Sequence, residues 1–274
     1  MKDAECVRLL QECLPRLRLR CAGFRKVRRQ VCKRIDRRMK ALGLSGPSAY
    51  RDYLEAHPGE WAVLDALCRI PISRFYRDRG VFDRLAQEVL PALADAARAR
   101  GEPELRCWCA GCASGEEPYT MALLWEHGVA PRFPGLGIRI LATDADPHLL
   151  ARARAGRYAF SSLKELPEGW VKQAFTRSAG RYEIREAYRE RVAFLRQDIR
   201  RRMPAGPFHL ILCRNLVLTY FEEALQREIV RKLADRLLPG GALVVGIHES
   251  LPGGIASLVP WSETLRIYRR PDSP

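Results

Sequence analysis

The chain has 274 residues, of which 47% are apolar and 29% charged, enough apolar material for a substantial core in one large domain, or in a small domain beside a medium one. No apolar run approaches the length of a bilayer span, and Met1–Glu5 lacks the basic region and apolar segment of a secretory signal, so the composition points away from a membrane or secreted protein and toward the cytoplasm. The formal net charge of +15 is concentrated between Arg16 and Lys40, where twelve Lys or Arg residues face a single acid, Asp36; such a field attracts nucleic acid, an acidic protein face or an anionic membrane surface.

The first hundred residues read as helical. Phe24, Val27, Val31, Ile35, Met39 and Leu42 recur at spacings of three and four and draw one apolar stripe on a basic segment, and Gly43 is placed to end that helix. Pro47-Ser48 opens a second helix carrying Tyr50, Tyr53 and Leu54. Trp61, Leu64 and Leu67 predict a third, and Phe82, Leu85, Val89 and Leu93 a longer one over Val81–Leu93. Residues 94–104, alanine-rich and then Gly101-Glu102-Pro103-Glu104, read as a linker between an N-terminal helical basic domain (1–93) and a second domain (105–274).

After residue 104 the pattern changes. Strands are predicted at Leu105–Cys109, Ile138–Thr143, Val192–Leu195, Phe208–Cys213, Ala242–Ile247 and Leu265–Tyr268, with helices at Glu116–His127, Pro147–Ala155 and Glu222–Leu237. Alternation of this kind argues an α/β fold with a mostly parallel sheet covered on both faces. The polar stretch 156–191 breaks the alternation and reads as an insertion, with helical signals at Leu163, Leu166, Trp170 and Phe175 and a strand at Tyr182–Ile184. Insertions at strand ends shape access to a site.

Open α/β sheets bind ligands beyond the carboxyl ends of their strands. Three such tips carry candidates. Cys109–Glu117 follows the first strand, with Gly111 and Gly115 allowing close backbone approach. It is neither a dinucleotide fingerprint nor a P-loop, and Glu116-Glu117 at the helix start repels phosphate but suits a cofactor bearing an ammonium and a sulfonium. Thr143–Pro147 follows the second strand: Asp144 is placed to accept the two hydroxyls of a ribose, and Asp146 to cap the helix that opens at Pro147. Gln197-Asp198-Ile199 follows the third. A carboxylate or amide there accepts from an adenine amino group while Ile199 packs on the ring. Together the tips describe a nucleoside cofactor without a phosphate tail.

Nine cysteines cannot all pair within one chain. Cys107, Cys109 and Cys112 raise a zinc site, but the first two share a strand face and no partner pair follows at zinc spacing, so these thiols read as small buried hydrophobes and no metal is expected.

Ile70–Asp78, Trp108–Tyr119 with Gly115-Glu116-Glu117-Pro118-Tyr119, Ala142-Thr143-Asp144, Cys213-Arg214-Asn215, and Leu238–Gly241 followed by His248–Leu251 resemble the chemotaxis-receptor methyltransferase family, over about residues 20–270. The resemblance implies a Rossmann-like S-adenosylmethionine-dependent methyltransferase fold with an N-terminal helical domain and a small inserted subdomain, the latter falling at 156–191. It implies S-adenosylmethionine as cofactor and a receptor glutamate as acceptor. It places cofactor contacts on Ser73, Arg77, Glu116, Asp144, Asp198, Ile199, Asn215 and Leu216, beside the Gly111 turn, and the acceptor on Arg77 and Tyr220. The chain departs from the family pattern at Pro71 and Ser73, where Asn and Thr are usual, at Asp198, often Asn, and at Tyr220, which arrives one position late and leaves Thr219 in the usual place.

A glutamate acceptor is already ionised and needs no general base, so the expected protein contribution is alignment, with Arg77 gripping the carboxylate. An alcohol, amine or carbon acceptor would need a base, for which His248 is the first candidate. The partner that fits the basic segment is an acidic protein or peptide surface presenting a carboxylate. RNA is the weaker alternative, because no exposed aromatic platform is interleaved with the basic residues. A small-molecule methyltransferase and a non-catalytic cofactor-sensing module on the same fold are the remaining readings.

Overall fold

The structure, a computed structural model, describes residues 2–272. It forms two compact units. One comprises the chain up to Pro71 together with the short segment Thr219–Gln226; the other comprises Ile72–Leu218 and the chain from Arg227 onward.

The first unit is built from α1 (Asp3–Cys13), α2 (Arg28–Ala41), α3 (Pro47–Ala56) and α4 (Glu60–Cys68). The predicted stripe is present: Val27, Val31, Ile35 and Met39 are buried, while Arg25, Lys26, Arg29, Lys33, Arg37 and Lys40 are exposed. Phe24 is buried too, but it sits in a 3-10 turn, Cys21–Phe24, ahead of the helix. Gly43, at φ 68°, turns the chain after α2. Two acids are buried in this unit, and both are paired: Asp65 accepts from Arg69 Nη2. Glu60 accepts from Arg38 Nη2 at 2.6 Å, Arg38 Nε at 2.9 Å and the Tyr50 hydroxyl at 3.0 Å, a fork that offsets the desolvation of the carboxylate. Cys6 and Cys32 form a disulfide joining α1 to α2. The segment Thr219–Gln226 completes the unit: Arg20 N–H donates to the Tyr220 carbonyl at 2.9 Å, Glu222 N–H to the Arg18 carbonyl at 3.0 Å, and the Tyr220 ring lies 5.1 Å from that of Phe24.

In the second unit α5 (Arg79–Arg84), a π turn at Leu85–Val89 and α6 (Leu90–Ala99) form one helical run. It buries Phe82, Leu85, Val89, Leu93, Ala94 and Ala97 in the same core as the sheet. The units therefore divide at Pro71/Ile72, not at the predicted junction 94–104. The alanines that read as a linker are small side chains that let α6 lie close on the sheet, and only residues 100–103 connect helix to strand.

The remaining elements are β1 (Glu104–Ala110), α7 (Glu116–Leu124), β2 (Gly137–Asp144), α8 (Pro147–Ala155), β3 (Arg157–Tyr158), α9 (Phe160–Leu163), α10 (Glu168–Ala174), β4 (Phe175–Ser178), β5 (Arg181–Ile184), α11 (Glu186–Arg189), β6 (Val192–Arg196), β7 (Phe208–Leu212), α12 (Val217–Tyr220), α13 (Glu223–Asp235), β8 (Leu237–Val244), β9 (Val259–Ser262) and β10 (Ile267–Arg269). The main sheet has seven strands in the order β6-β2-β1-β7-β8-β10-β9. The five strands from β6 to β8 are parallel, and β10 and β9 close one edge antiparallel. This is the expected Rossmann-like α/β fold. The two central strands are covered on both faces: neither β1 nor β7, Phe208–Leu212, has an exposed residue. The register pairs Cys107 with Ile140 and Cys109 with Ala142 in β1 and β2.

The insertion is more ordered than its sequence suggested. β3, β5 and β4 form a separate three-stranded antiparallel sheet, of which only the β5 strand was legible. Its strands are two to four residues long, too short to show an alternating pattern. Among the described residues no helix is long and apolar enough to cross a membrane.

Candidate cofactor and acceptor site

The sheet runs from β1 through β2 to β6 in one direction and from β7 to β8 in the other. β1 and β7 are therefore the switch point, and a crevice opens beyond their carboxyl ends. Gly111 follows β1 and Leu216 follows β7. At Gly111, φ is 77°, and an added Cβ would stand 2.6 Å from Leu216 Cδ2, so glycine allows the two loops to meet. Asn215 adopts φ 55°. Its N–H donates to Glu249 Oε2 at 2.9 Å, and Gly246 N–H donates to the same oxygen at 2.6 Å. Glu249 is buried and His248 exposed, so the two do not form a catalytic pair: the carboxylate is committed to holding the turn after β7.

Asp144 ends β2. Ala113 N–H donates to its Oδ2 and Asp146 N–H to its Oδ1, each at 2.9 Å. The neighbouring Thr143 carbonyl accepts from Gly111 and Cys112 N–H at 2.8 and 3.0 Å, and its hydroxyl accepts from Trp108 Nε1 at 2.9 Å. The loop after β1 is thereby folded over the tip of β2. Asp146 is the cap predicted for α8, accepting from His148 and Leu149 N–H.

Glu116 opens α7 and is 4% exposed. Its carboxylate accepts from Ser114 Oγ at 3.0 and 2.9 Å and from Ser162 Oγ at 3.3 Å. Among the described residues no Lys, Arg or His forms an ion pair with it. A buried carboxylate held by hydroxyls alone is costly; the helix N-terminus offsets only part of that. The site is built to receive a cation. Ser162 comes from α9 in the insertion, and its carbonyl accepts Phe75 N–H at 3.0 Å, tying the insertion and the Ile72–Arg77 segment to Glu116.

Arg77 lies between two non-glycine residues in the left-handed region, Tyr76 at φ 55° and Asp78 at φ 63°, a conformation that costs about 1–2 kcal/mol per residue. Its Nη1 donates to the Ile72 carbonyl at 2.7 Å. Beneath it, Arg214 is almost wholly buried and bonds Glu117 Oε2 at 3.0 Å, Asp78 Oδ2 at 2.7 Å and the Arg77 carbonyl at 3.0 Å. Burial pushes the Glu117 carboxyl up from its usual value, with Arg214 and Arg77 opposing that shift. Ser73 is half-buried.

Asp198 is engaged otherwise than expected. Arg200 closes on it from one side, with Nη2 2.6 Å from Oδ2, Nε 3.0 Å from Oδ1 and the Arg200 N–H also 3.0 Å from Oδ1. Its neighbour Gln197 donates its N–H to the Asp144 carbonyl at 3.0 Å, and the buried Gln197 Oε1 has no hydrogen-bond partner among the described residues. Of the two acceptors considered at this tip, the amide oxygen is the one without a partner among the described residues. Ile199 is 8% exposed.

Ser73, Arg77, Gly111, Glu116, Asp144, Asp198, Ile199, Asn215 and Leu216 all belong to the sheet unit. Tyr220 belongs to the other unit. Sequence reasoning did not single out Ser114, Ser162 or the anchoring by Arg214, and it considered Glu249 only as a partner of His248; lone serines carry no distinctive spacing. Cys107, Cys109 and Cys112 are buried in the core under the crevice. Burial pushes the Cys107 thiol up to about 12, and among the described residues no group of His, Cys, Asp or Glu is arranged for a metal.

A Rossmann-like sheet whose switch-point crevice holds, among the described residues, a buried carboxylate without a basic partner, an aspartate ending the neighbouring strand and no phosphate-binding loop is that of an S-adenosylmethionine-dependent methyltransferase. Residues 72–263 match the family described as CheR methyltransferase, SAM binding domain, and the chain belongs to that family. It is 37% identical to a chemotaxis protein methyltransferase of Listeria innocua over 186 residues, 68% of each chain. It is 31% identical to the chemotaxis protein methyltransferase of Escherichia coli K12 over 266 residues, covering 88% of this chain and 89% of that one. Among solved structures, the N-methyltransferase NodS of Bradyrhizobium japonicum in complex with S-adenosyl-L-homocysteine aligns with a TM-score of 0.38 and 16% identity, over 72% of this chain and 90% of that chain.

Proposed function

We propose that the chain transfers the methyl group of S-adenosylmethionine to a carboxylate on a protein, as a protein-glutamate O-methyltransferase forming a carboxyl methyl ester. The observation that carries the cofactor half of this reading is Glu116, buried and bonded only to hydroxyls. It receives the ammonium of the cofactor's amino-acid end. Asp144 takes the ribose hydroxyls, Gln197 Oε1 takes the adenine amino group beside Ile199, and Gly111 with Asn215-Leu216 forms the floor. When bound, S-adenosylmethionine supplies an electrophilic methyl on a sulfonium that is already a good leaving group.

The acceptor half rests on Arg77, on the family, and on relatives named chemotaxis protein methyltransferases. A carboxylate nucleophile arrives ionised, so no residue has to remove a proton. The protein contributes alignment and exclusion of water. The Arg77 guanidinium spends one donor on the Ile72 carbonyl and offers the others to the amino-acid end of the cofactor and to the acceptor oxygen that does not react. Tyr220 is assigned to orient the acceptor by the resemblance alone. The exposed cations on α2 and just before it, Arg25, Lys26, Arg29, Lys33, Arg37 and Lys40, suit a partner with an acidic surface.

The test is methyl transfer from radiolabelled S-adenosylmethionine into separated protein, RNA and small-molecule fractions. The reading predicts label in protein that mild base releases as volatile methanol, the signature of a carboxyl ester. Base-stable label, or label in RNA or a metabolite, overturns it.

A further inference from the structure

We propose that Arg214 is a positioning residue, which holds the Tyr76–Asp78 turn so that Arg77 addresses the amino-acid end of the cofactor. This rests on the cofactor reading above. The guanidinium of Arg214 is 2% exposed and reaches three acceptors from two separate segments: Glu117 at 3.0 Å, and Asp78 at 2.7 Å with the Arg77 carbonyl at 3.0 Å. It stacks 5.2 Å above the Phe82 ring. No lysine could span these acceptors, because only the planar fork of arginine offers directed donors on both sides.

Two features of the turn call for such an anchor. Tyr76 and Asp78 both occupy the left-handed region, which non-glycine residues hold only when surrounding contacts impose it. Tyr76 is fixed from its own side, its N–H donating to Thr120 Oγ1 at 3.1 Å and its hydroxyl to Asp83 at 2.9 Å. Asp78 is fixed by Arg214. The second feature is charge. Asp78 and the buried Glu117 are two carboxylates close to Arg77, whose Nε already lies 4.0 Å from Asp78 Oδ2. By neutralising both, Arg214 keeps Arg77 from collapsing onto them and leaves its outward donors for ligand. The turn stands beside the ammonium site, since Phe75 is bonded to Ser162 and Ser162 to Glu116.

The experiment uses the full chain and two ligands, S-adenosylhomocysteine and 5′-methylthioadenosine, which share the nucleoside and differ in the amino-acid end. Calorimetric affinities are measured for the native chain, Arg214→Lys, Arg77→Ala and the double variant, with amide hydrogen exchange over residues 74–80 in the absence of ligand. Arg214→Lys is expected to weaken S-adenosylhomocysteine about tenfold, the scale of one charge-assisted contact, and to leave methylthioadenosine within about twofold. The double variant is expected to bind no more weakly than Arg77→Ala, because the two act as one. Exchange over the turn rises while β1 and β7 stay protected. Equal weakening of both ligands, an unchanged affinity for S-adenosylhomocysteine, or additive effects of the two substitutions overturns the proposal. Should Arg214→Lys lose its fold by circular dichroism, Asp78→Asn removes the same anchor from the exposed side and is read in the same way. A native chain that binds neither ligand instead removes the cofactor reading and this proposal with it.

Discussion

Ser162 Oγ, from the inserted subdomain, stands 3.3 Å from Oε1 of Glu116 at the start of α7. A segment that interrupts the strand–helix alternation therefore touches the carboxylate assigned to the cofactor. Replacing Ser162 with alanine removes one of the hydroxyls holding Glu116 and loosens the link to Phe75. The expected result is a two- to fivefold weaker affinity for S-adenosylhomocysteine, about 0.5–1 kcal/mol, without a change in melting temperature beyond a degree or two. An unchanged affinity would show that the insertion does not set the position of Glu116.

Glu249 is the anchor of the turn after β7. Its Oε2 accepts the amides of Asn215 and Gly246. Glu249→Ala leaves two amides in a buried turn without their acceptor, and the destabilisation expected in urea unfolding is about 2–4 kcal/mol. Glu249→Gln keeps one oxygen in place and should lose less than half of that. A null effect of Glu249→Ala would mean that the turn holds itself.

Gly115 precedes α7 at φ 93°, and a Cβ there would stand 2.9 Å from Ala153 Cβ. Alanine at this position combines an unfavourable backbone with a contact against a short side chain that cannot swing away. The expected loss is about 1–3 kcal/mol, or a fall of several degrees in melting temperature. Gly135, also left-handed at φ 82° but with nothing near its Cβ, is the control, and its alanine variant should fall less.

The Arg38 fork beside Glu60 holds that carboxyl below its usual value, with the Tyr50 hydroxyl assisting. A folded-state value below the unfolded one means that the contribution is fully present above the unfolded carboxylate range, near pH 4.5, and is lost as pH falls through the lower folded value. The native chain should therefore exceed Glu60→Gln in unfolding free energy at pH 7 by about 1–3 kcal/mol, and the gap should shrink steadily below pH 4.5. A gap independent of pH would assign the effect to packing instead of charge.

The sequence carried the architecture where elements are long and the ligand site where it lies on strand tips. Val31, Ile35 and Met39 marked α2 by period, Asp146-Pro147 marked the start of α8 by capping chemistry, and the tips after β1, β2 and β6 were found as acids following apolar runs. It was less legible where tertiary contacts decide. The alanines of α6 read as a linker because small residues have no periodic signal, although they are core. The three short strands of the insertion have too few residues to alternate. Asp198 and Asp144 read alike as acids at strand tips; only the fold shows Arg200 closing on Asp198 and Gln197 Oε1 without a partner among the described residues. The association of Thr219–Gln226 with the N-terminal helices is a pairing across two hundred residues, set by the Arg18–Glu222 and Leu19–Phe221 contacts, which no local pattern announces.

The central claim is that a buried negative charge at Glu116 receives the cofactor's ammonium. Calorimetric titration of Glu116→Gln against the native chain, with S-adenosylhomocysteine and with 5′-methylthioadenosine, tests it directly. The substitution keeps size and one acceptor oxygen and removes the charge, so S-adenosylhomocysteine should bind about 10- to 100-fold more weakly, corresponding to about 1.4–2.7 kcal/mol, while methylthioadenosine binds as before. Equal affinity of the variant and the native chain for S-adenosylhomocysteine would contradict the account.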